Sequence, residues 1–301
     1  MPVFLQDWWL DAASVEGEWD VCLSRDKGGN IQAVLPYHLR QRMGFSFVGK
    51  PPLTPFLGIW SPHWEHSPKN HKRYGFQDRC SREIIEQLPD AHASSIYCHP
   101  HMHNWMAFHK AGFRQTEAYT YLLEPSESVE KCFAQLKSSV RNKIRKAERH
   151  LEWEESEEVE ILYDLSQQSF TRQSLPIPYS LAYLQRLDDA LKRRQQRKIL
   201  LVRDEQKRVH AAMYLLWDNR MTYNLVLGAN TDLRSSGAVQ YLLWQGIRQS
   251  FEAGRTFNFE GSMLPAVEAA FREFGAQRQP YFRLYKEKNK YWQAFKILSG
   301  R

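Results

Sequence analysis

No apolar run in the chain approaches the roughly 18 residues a membrane-spanning helix needs, which excludes a helical membrane protein. A secretory leader is not expected either, because Asp7 and Asp11 interrupt the apolar residues Phe4, Leu5, Trp8, Trp9 and Leu10. The expected location is therefore the cytoplasm. Cysteine is scarce: Cys22, Cys80, Cys98 and Cys132 lie far apart and form no CxxC pair, so neither a zinc knuckle nor a dithiol redox site is indicated. Reduced, buried thiols are the expectation. Walker loops, dinucleotide-binding glycine fingerprints and serine nucleophile elbows are missing as well. The run Cys98-His-Pro-His-Met-His103 could place His99, His101 and His103 on one face of an extended segment. Pro100 bends that run and no carboxylate or second cysteine stands near it, so no metal site is expected.

What is present is the composition of a globular protein, 43% hydrophobic and 25% charged over 301 residues, enough for two domains. The net charge of +7 suits an anionic partner such as a nucleotide, a phosphorylated substrate, RNA or a membrane surface. A basic protein with no polyanionic partner has the same composition.

An internal repeat organises the chain. Arg25–Val48 aligns without gaps on Arg203–Val226, pairing Arg25 with Arg203, Asp26 with Asp204, Ala33 with Ala211, Arg42 with Arg220 and Met43 with Met221. Both copies read as an antiparallel three-stranded meander. Farther along, Phe108–Gly112 followed by Tyr119–Leu123 corresponds to Phe271–Gly275 followed by Tyr281–Tyr285, a short helix ending at glycine and passing into a strand. Between these anchors each copy has a helix (about 76–88 and 238–253) and a short strand (95–98 and 256–260). Alternation of this kind implies a mixed α/β sheet with one parallel neighbour reached through a crossover helix. The halves divide at 1–125 and 126–301, and a helix over 129–151 opens the second after a Pro-Ser-Glu-Ser start. It carries an apolar face (Leu136, Val140, Ile144, Ala147, Leu151) and a basic stripe (Lys137, Arg141, Arg145, Arg149). The stripe and the tail Lys286–Lys290 are either phosphate-binding surfaces or solvated charge. The acidic run 154–160 either pairs with that stripe or forms a solvated turn.

This order of elements, with Leu136–Glu148, Gly112-Phe-Arg, Tyr119-Thr-Tyr121, Phe257-Asn-Phe-Glu-Gly-Ser262 and Phe271–Gly275, resembles the Fem-type, acetyltransferase-like branch of the GCN5-related N-acetyltransferase (GNAT) superfamily, in which two GNAT folds lie in tandem. The resemblance implies an α/β fold of two tandem GNAT-like domains, the first degenerate. It also implies N-acyl transfer from an acyl-CoA such as acetyl-CoA, or from an aminoacyl-tRNA, to an amine-bearing acceptor, a cell-envelope precursor or peptide. The rival expectation is a non-catalytic module that keeps the scaffold to bind a polyanion or peptide.

Within that resemblance, the strand leading through Leu227 into Arg234-Ser-Ser-Gly-Ala238 corresponds to the donor-binding loop, with Val239 where the family has Gly or Ala. The first amides of a helix lack intrahelical partners and its positive dipole end favours anions, so Arg234, Ser235, Ser236, Gly237 and Ala238 are candidate donor ligands. Ser235 or Ser236 acting only as a helix cap is the alternative. The first copy has Pro51-Pro-Leu-Thr-Pro55 there, and proline has no amide to offer. Glu260 is the candidate general base, since an attacking ammonium must first lose a proton, or else it orders the adjoining turn. Phe271 stands near the position of the family's tyrosine acid, leaving Tyr223 and Tyr281 as candidate substitutes.

Overall fold

The computed structural model describes residues 1–64, 69–261 and 265–288. The chain forms two compact units, Met1–Ala118 with the chain from Pro280 onward, and Tyr119–Gln279.

The first unit runs α1 (Asp7–Ala13), β1 (Glu18–Arg25), β2 (Ile31–Arg42), β3 (Phe45–Gly49), α2 (Asn70–Ile85), β4 (Ala93–Tyr97), α3 (Met106–Lys110) and the start of β5 (Arg114–Leu123). β1, β2 and β3 form the expected antiparallel meander, and β3 lies parallel to β4. α2 covers a core that includes Leu35, Ile59, Cys80, Ile84, Ile96 and Phe108. All four cysteines are buried and free, and burial pushes the Cys22 thiol up to about 12.

The second unit runs α4 (Val129–Gln135), α5 (Ser138–Ala147), β6 (Leu151–Ser156), α6 (Val159–Arg172), α7 (Leu181–Arg193), β7 (Arg197–Asp204), β8 (Val209–Trp217), β9 (Met221–Ala229), α8 (Ala238–Glu252), β10 (Thr256–Asn258), α9 (Pro265–Glu273) and the start of β11 (Gln277–Glu287). The strand order is β5-β10-β9-β8-β7-β6. β8 is apolar and buried almost throughout, as a central strand must be. α8 packs on its Met213 and Leu215 face, so closely that a Cβ on Gly246 would lie 2.7 Å from the Met213 methyl.

Each repeat's last strand is exchanged. Leu122 and Leu123 of β5 pair antiparallel with Asn258 and Phe257 of β10 in the second unit, while Arg283–Glu287 of β11 pair with Tyr97–Ala93 of β4 in the first. The compact units therefore divide at 118 and 279 rather than at 125.

The helix expected over 129–151 is two helices. Ser128 caps α4 by accepting from the Lys131 amide, but Leu136 and Lys137 are extended. The Lys137 amide leaves the helical pattern to donate to the Glu273 carbonyl, and the Arg141 guanidinium caps the carbonyls of Ala134 and Leu136. Leu151 already belongs to β6.

The acidic run pairs away from the basic stripe: Glu154 and Glu158 bind Arg203, Glu155 binds Lys198, and Glu157 binds Arg197 and Lys192. Arg197 also meets Asp188 at 2.9 Å, and Asp188 accepts from the Tyr214 hydroxyl at 2.7 Å, so β7, β8 and α7 are tied by a buried ionic cluster. The Arg197 and Lys192 hydrogen bonds hold the Glu157 carboxyl down at about 2.

Candidate functional site

In the second unit two parallel strands pair over only three residues. Thr256, Phe257 and Asn258 of β10 lie opposite Met221, Thr222 and Tyr223 of β9. Beyond that point β9 continues for six residues, Asn224–Ala229, with no β10 partner among the described residues. Two features drive the separation. Leu225 is an extra residue, because Tyr214 of β8 pairs with Val226 while Leu215 pairs with Asn224, and a bulge bends its strand. On the other side the Phe259 amide turns toward β5 and donates to the Tyr121 carbonyl at 3.0 Å.

Asn258 anchors the lip of the opening. Its buried Oδ1 accepts from the Thr120 hydroxyl at 2.6 Å and from the Glu260 amide at 2.9 Å. That second bond helps hold Glu260 at φ 63°, a left-handed conformation uncommon for a non-glycine residue and concentrated at functional sites. The strand ends two residues earlier than expected, so Glu260 lies on the turn after β10, half-buried. Ser262, quoted in the same sequence motif, lies outside the described residues.

Tyr223 is enclosed, and its hydroxyl donates to Asp218 Oδ2 at 3.1 Å, toward the β8–β9 turn and away from the open end of β9. Burial first, then the charges of Asp218 and Glu260, raise its hydroxyl well above the ordinary tyrosine value. Tyr281 falls within β11 in the first unit, half-buried. A different tyrosine, Tyr121, occupies the second unit beside Phe271 and donates to Glu268 at 3.0 Å, with its hydroxyl also raised by burial and that carboxylate.

The segment expected to bind the donor has the expected order of elements: β9, a single 3-10 turn over Arg234–Ser236, then α8 from Ala238. Leu227 is partly buried against the α8 core, Arg234 and Ser235 are exposed, and Ser236 accepts from the Ala238 amide at 3.3 Å. Gly237 has φ 82°, and a Cβ there would lie 2.7 Å from the Lys143 carbonyl of α5. The glycine thus meets two structural demands, a left-handed cap and a close approach by α5.

α6 also reaches the open edge. The Asn230 amide donates to His210 of β8, so the amide before it, Ala229, faces away from β8, where Ser169 Oγ accepts from it at 3.1 Å. Gln168 accepts from the Thr231 amide at 3.4 Å. A Cβ on Gly228 would lie 2.5 Å from the Ser166 amide nitrogen, so the α6 backbone rests directly on this part of β9. Between Asn224 and Leu227 the edge of β9 past the β10 pairs has no strand partner among the described residues.

The basic stripe is largely committed to holding helices together. Lys137 pairs with Glu273 at 2.6 Å, Arg141 caps α4, and Arg145 stacks over Phe133. A surface cleft of about 770 Å³ between α4, α5 and α8 has Phe133 and Trp244 on its wall. A smaller one of about 320 Å³ touches Ser236, Lys146, His150 and Arg208. In the tail, Lys286 donates to the Ala111 carbonyl at 2.6 Å and Lys288 pairs with Asp90, while Asn289 and Lys290 lie outside the described residues. No cluster of three metal-ligating side chains occurs among the described residues, and none of their helices is long and apolar enough to cross a membrane.

Sequence reading missed β6, α6 and α7, and with them Ser169. It also passed over Asn224 and Asn258, although both stand out as amides in otherwise apolar strands.

Residues 134–265 match the family model described as the acetyltransferase (GNAT) domain. No curated protein sequence matches the chain. Among solved structures, FemX superposes with TM-score 0.66 at 12% identity, covering 98% of this chain and 94% of that one. The C-terminal domain (DUF2156) of a putative lysylphosphatidylglycerol synthetase from Agrobacterium fabrum gives 0.56 at 15%, covering 97% and 91%. A tandem GNAT protein from the clavulanic acid biosynthesis pathway gives 0.53 at 7%, covering 93% and 94%. At such identities the likeness speaks to fold alone. The strand-loop-helix, the bulge and the parted strands all lie inside the segment that matches the acetyltransferase (GNAT) model, and the chain as a whole shares its fold with FemX and with a tandem GNAT protein.

Proposed function

We propose that the chain is an N-acyltransferase whose reaction takes place between β9 and β10, beyond Tyr223 and Asn258. The observation that supports this most is the parting of those strands after three residue pairs at a bulge on Leu225. β9's outward N–H and C=O groups from Asn224 to Leu227 are then available to an acyl donor. They are fixed hydrogen-bonding groups beside a reacting carbonyl, where preorganised donors are worth most.

Glu260, held by Asn258 at the lip, is the proposed base. It takes a proton from the acceptor ammonium, and the freed amine attacks the carbonyl carbon. The carbon–sulfur bond of a thioester or the carbon–oxygen bond of an ester then breaks, the leaving group takes up a proton, and an amide remains. Alignment of the two reactants supplies much of the rate without a covalent enzyme intermediate. Tyr223, bound to Asp218, supports the strand rather than donating to the leaving group.

The donor is either an acyl-CoA, with the Arg234–Ala238 loop and Leu227 as its contacts, or an aminoacyl-tRNA. The second is favoured by two observations: the Lys143 carbonyl lies against Gly237, and Ser169 occupies the Ala229 amide. In this reading each restricts what the loop and the end of β9 can offer a pantetheine arm. The proposed acceptor is an amine on a peptide or cell-envelope precursor.

The test offers the purified chain acetyl-CoA, longer acyl-CoAs and charged tRNA in turn, with a panel of amine-bearing peptides, and reads new amides by mass spectrometry. Transfer from any donor, lost in Glu260→Gln, supports the reading. Binding of RNA or peptide without transfer from any donor would replace it with the non-catalytic module.

A further inference from the structure

The β9–β10 opening has an unusual residue at its apex. Asn224 is the first residue of β9 past the last β10 pair. It is 6% exposed, and its Oδ1 has no hydrogen-bond partner among the described residues. Two residues earlier on the same face, Thr222 is 3% exposed with its hydroxyl equally unpartnered. Asn224 pairs across the sheet with Leu215, on the face packed by the apolar core under α8. Polar groups in such surroundings are normally satisfied, and an unmet buried acceptor costs about 1–3 kcal/mol. A leucine or valine would fill the position without that cost. The amide is therefore a destabilising choice for the folded chain, made at the point where the strands open.

We infer that Asn224 is a specificity-determining residue that recognises the acyl group itself. Its amide selects an acyl chain bearing a hydrogen-bonding amine or hydroxyl next to the carbonyl over a plain alkanoyl chain. The inference rests on the proposed acyl transfer and names its acyl class. A carboxamide offers both an acceptor and a donor, so it serves an ammonium, a hydroxyl or a carbonyl oxygen. A site built around a hydrogen bond rejects the analogue that lacks it far more strongly than an apolar pocket rejects one extra methylene.

The experiment uses small thioesters of N-acetylcysteamine, which carry no nucleotide and so make no demand on the Arg234–Ala238 loop. Glycyl, glycolyl and propionyl thioesters are titrated against the full chain, and binding is read from the shift in melting temperature. The glycyl or glycolyl thioester should bind at least tenfold more tightly than the propionyl one, and whichever is preferred identifies amine or hydroxyl as the partner. In Asn224→Leu the preference should vanish while the unliganded melting temperature stays level or rises, an outcome a purely structural asparagine would not give. Asn224→Asp should keep the preference for the glycyl group, which guards against a leucine variant that repacks poorly.

Equal binding of all three thioesters by the native chain would overturn the inference and leave the acyltransferase reading standing. So would an Asn224→Leu variant that is less stable yet equally selective. If none of the thioesters binds while charged tRNA or acyl-CoA still reacts, the acyl-recognition role falls alone; if no donor of any kind binds or reacts, both fall.

Discussion

The two repeats treat the same gap in opposite ways. In the first unit β3 lies parallel to β4, as β9 does to β10, but β3 ends at Gly49, and the chain itself then fills the space beyond it. The Leu57 amide donates to the Tyr97 carbonyl, and Trp60 exchanges two hydrogen bonds with Val34 of β2. Gly58 passes so close to β4 that a Cβ would lie 2.5 Å from the Cys98 Cα. In the second unit β9 runs on for six residues and the chain passes through a 3-10 turn into α8, so the edge beside Asn224–Leu227 has no strand partner among the described residues. The repeat thus places two parallel strand pairs in comparable positions: beyond the first lies a proline-rich segment, and beyond the second β9 has no strand partner among the described residues.

The comparison breaks most sharply on Glu260. Glu260→Gln should lower the rate of acyl transfer by about 10²- to 10⁴-fold, the range for a general base, with little change in stability. A loss below threefold in single-turnover kinetics would remove it from the mechanism.

The buried ionic cluster under the open repeat comes next. Arg197→Met should cost about 3–5 kcal/mol in denaturant unfolding, because Asp188 is left buried without its partner. The double variant with Asp188→Leu should recover much of that loss.

Closing glycines give a smaller and more diagnostic effect. Gly58→Ala should cost about 1–3 kcal/mol through overpacking against β4 while acyl transfer per folded molecule is unchanged. Gly228→Ala should cost a similar amount but also disturb donor binding, since it lifts α6 from β9. If both leave donor binding untouched, the contrast between filled and open gaps has no functional meaning.

The pH response is the mildest of the predictions and belongs to the first unit. His38 is buried in β2 with both ring nitrogens unpartnered, and burial lowers its pKa from 6.5 to about 4, with Arg40 adding to the effect. The unfolded chain therefore binds the proton first, and stability falls as pH drops from about 6.5 toward 4. His38→Gln should flatten that part of the stability profile measured by urea unfolding, with donor binding in the second unit unaffected.

Much of this was legible in the residues. The meander of both repeats, the helix start at Ser128 and the strand-loop-helix into α8 follow from local periodicity and turn chemistry, whereas α8 is capped by Gly237 rather than by Ser235 or Ser236. The prolines after β3 also signalled that the first copy lacks an amide cradle. Less could be read where charge concealed structure. Glu154 and Glu155 resemble a solvated turn, yet they lie on an edge strand whose partners, Lys198 and Arg203, are more than forty residues away.

By itself the sequence determined the repeat, the elements of both meanders and the basic character, because these depend on neighbours a few residues apart. Only the tertiary structure decided which unit each final strand joins, that α5 and α6 press on Gly237 and Gly228, and that Asn224 Oδ1 is buried without a hydrogen-bond partner among the described residues. Those are long-range matters of packing and hydrogen-bond satisfaction, where a single amide's meaning depends on which strand departs beside it.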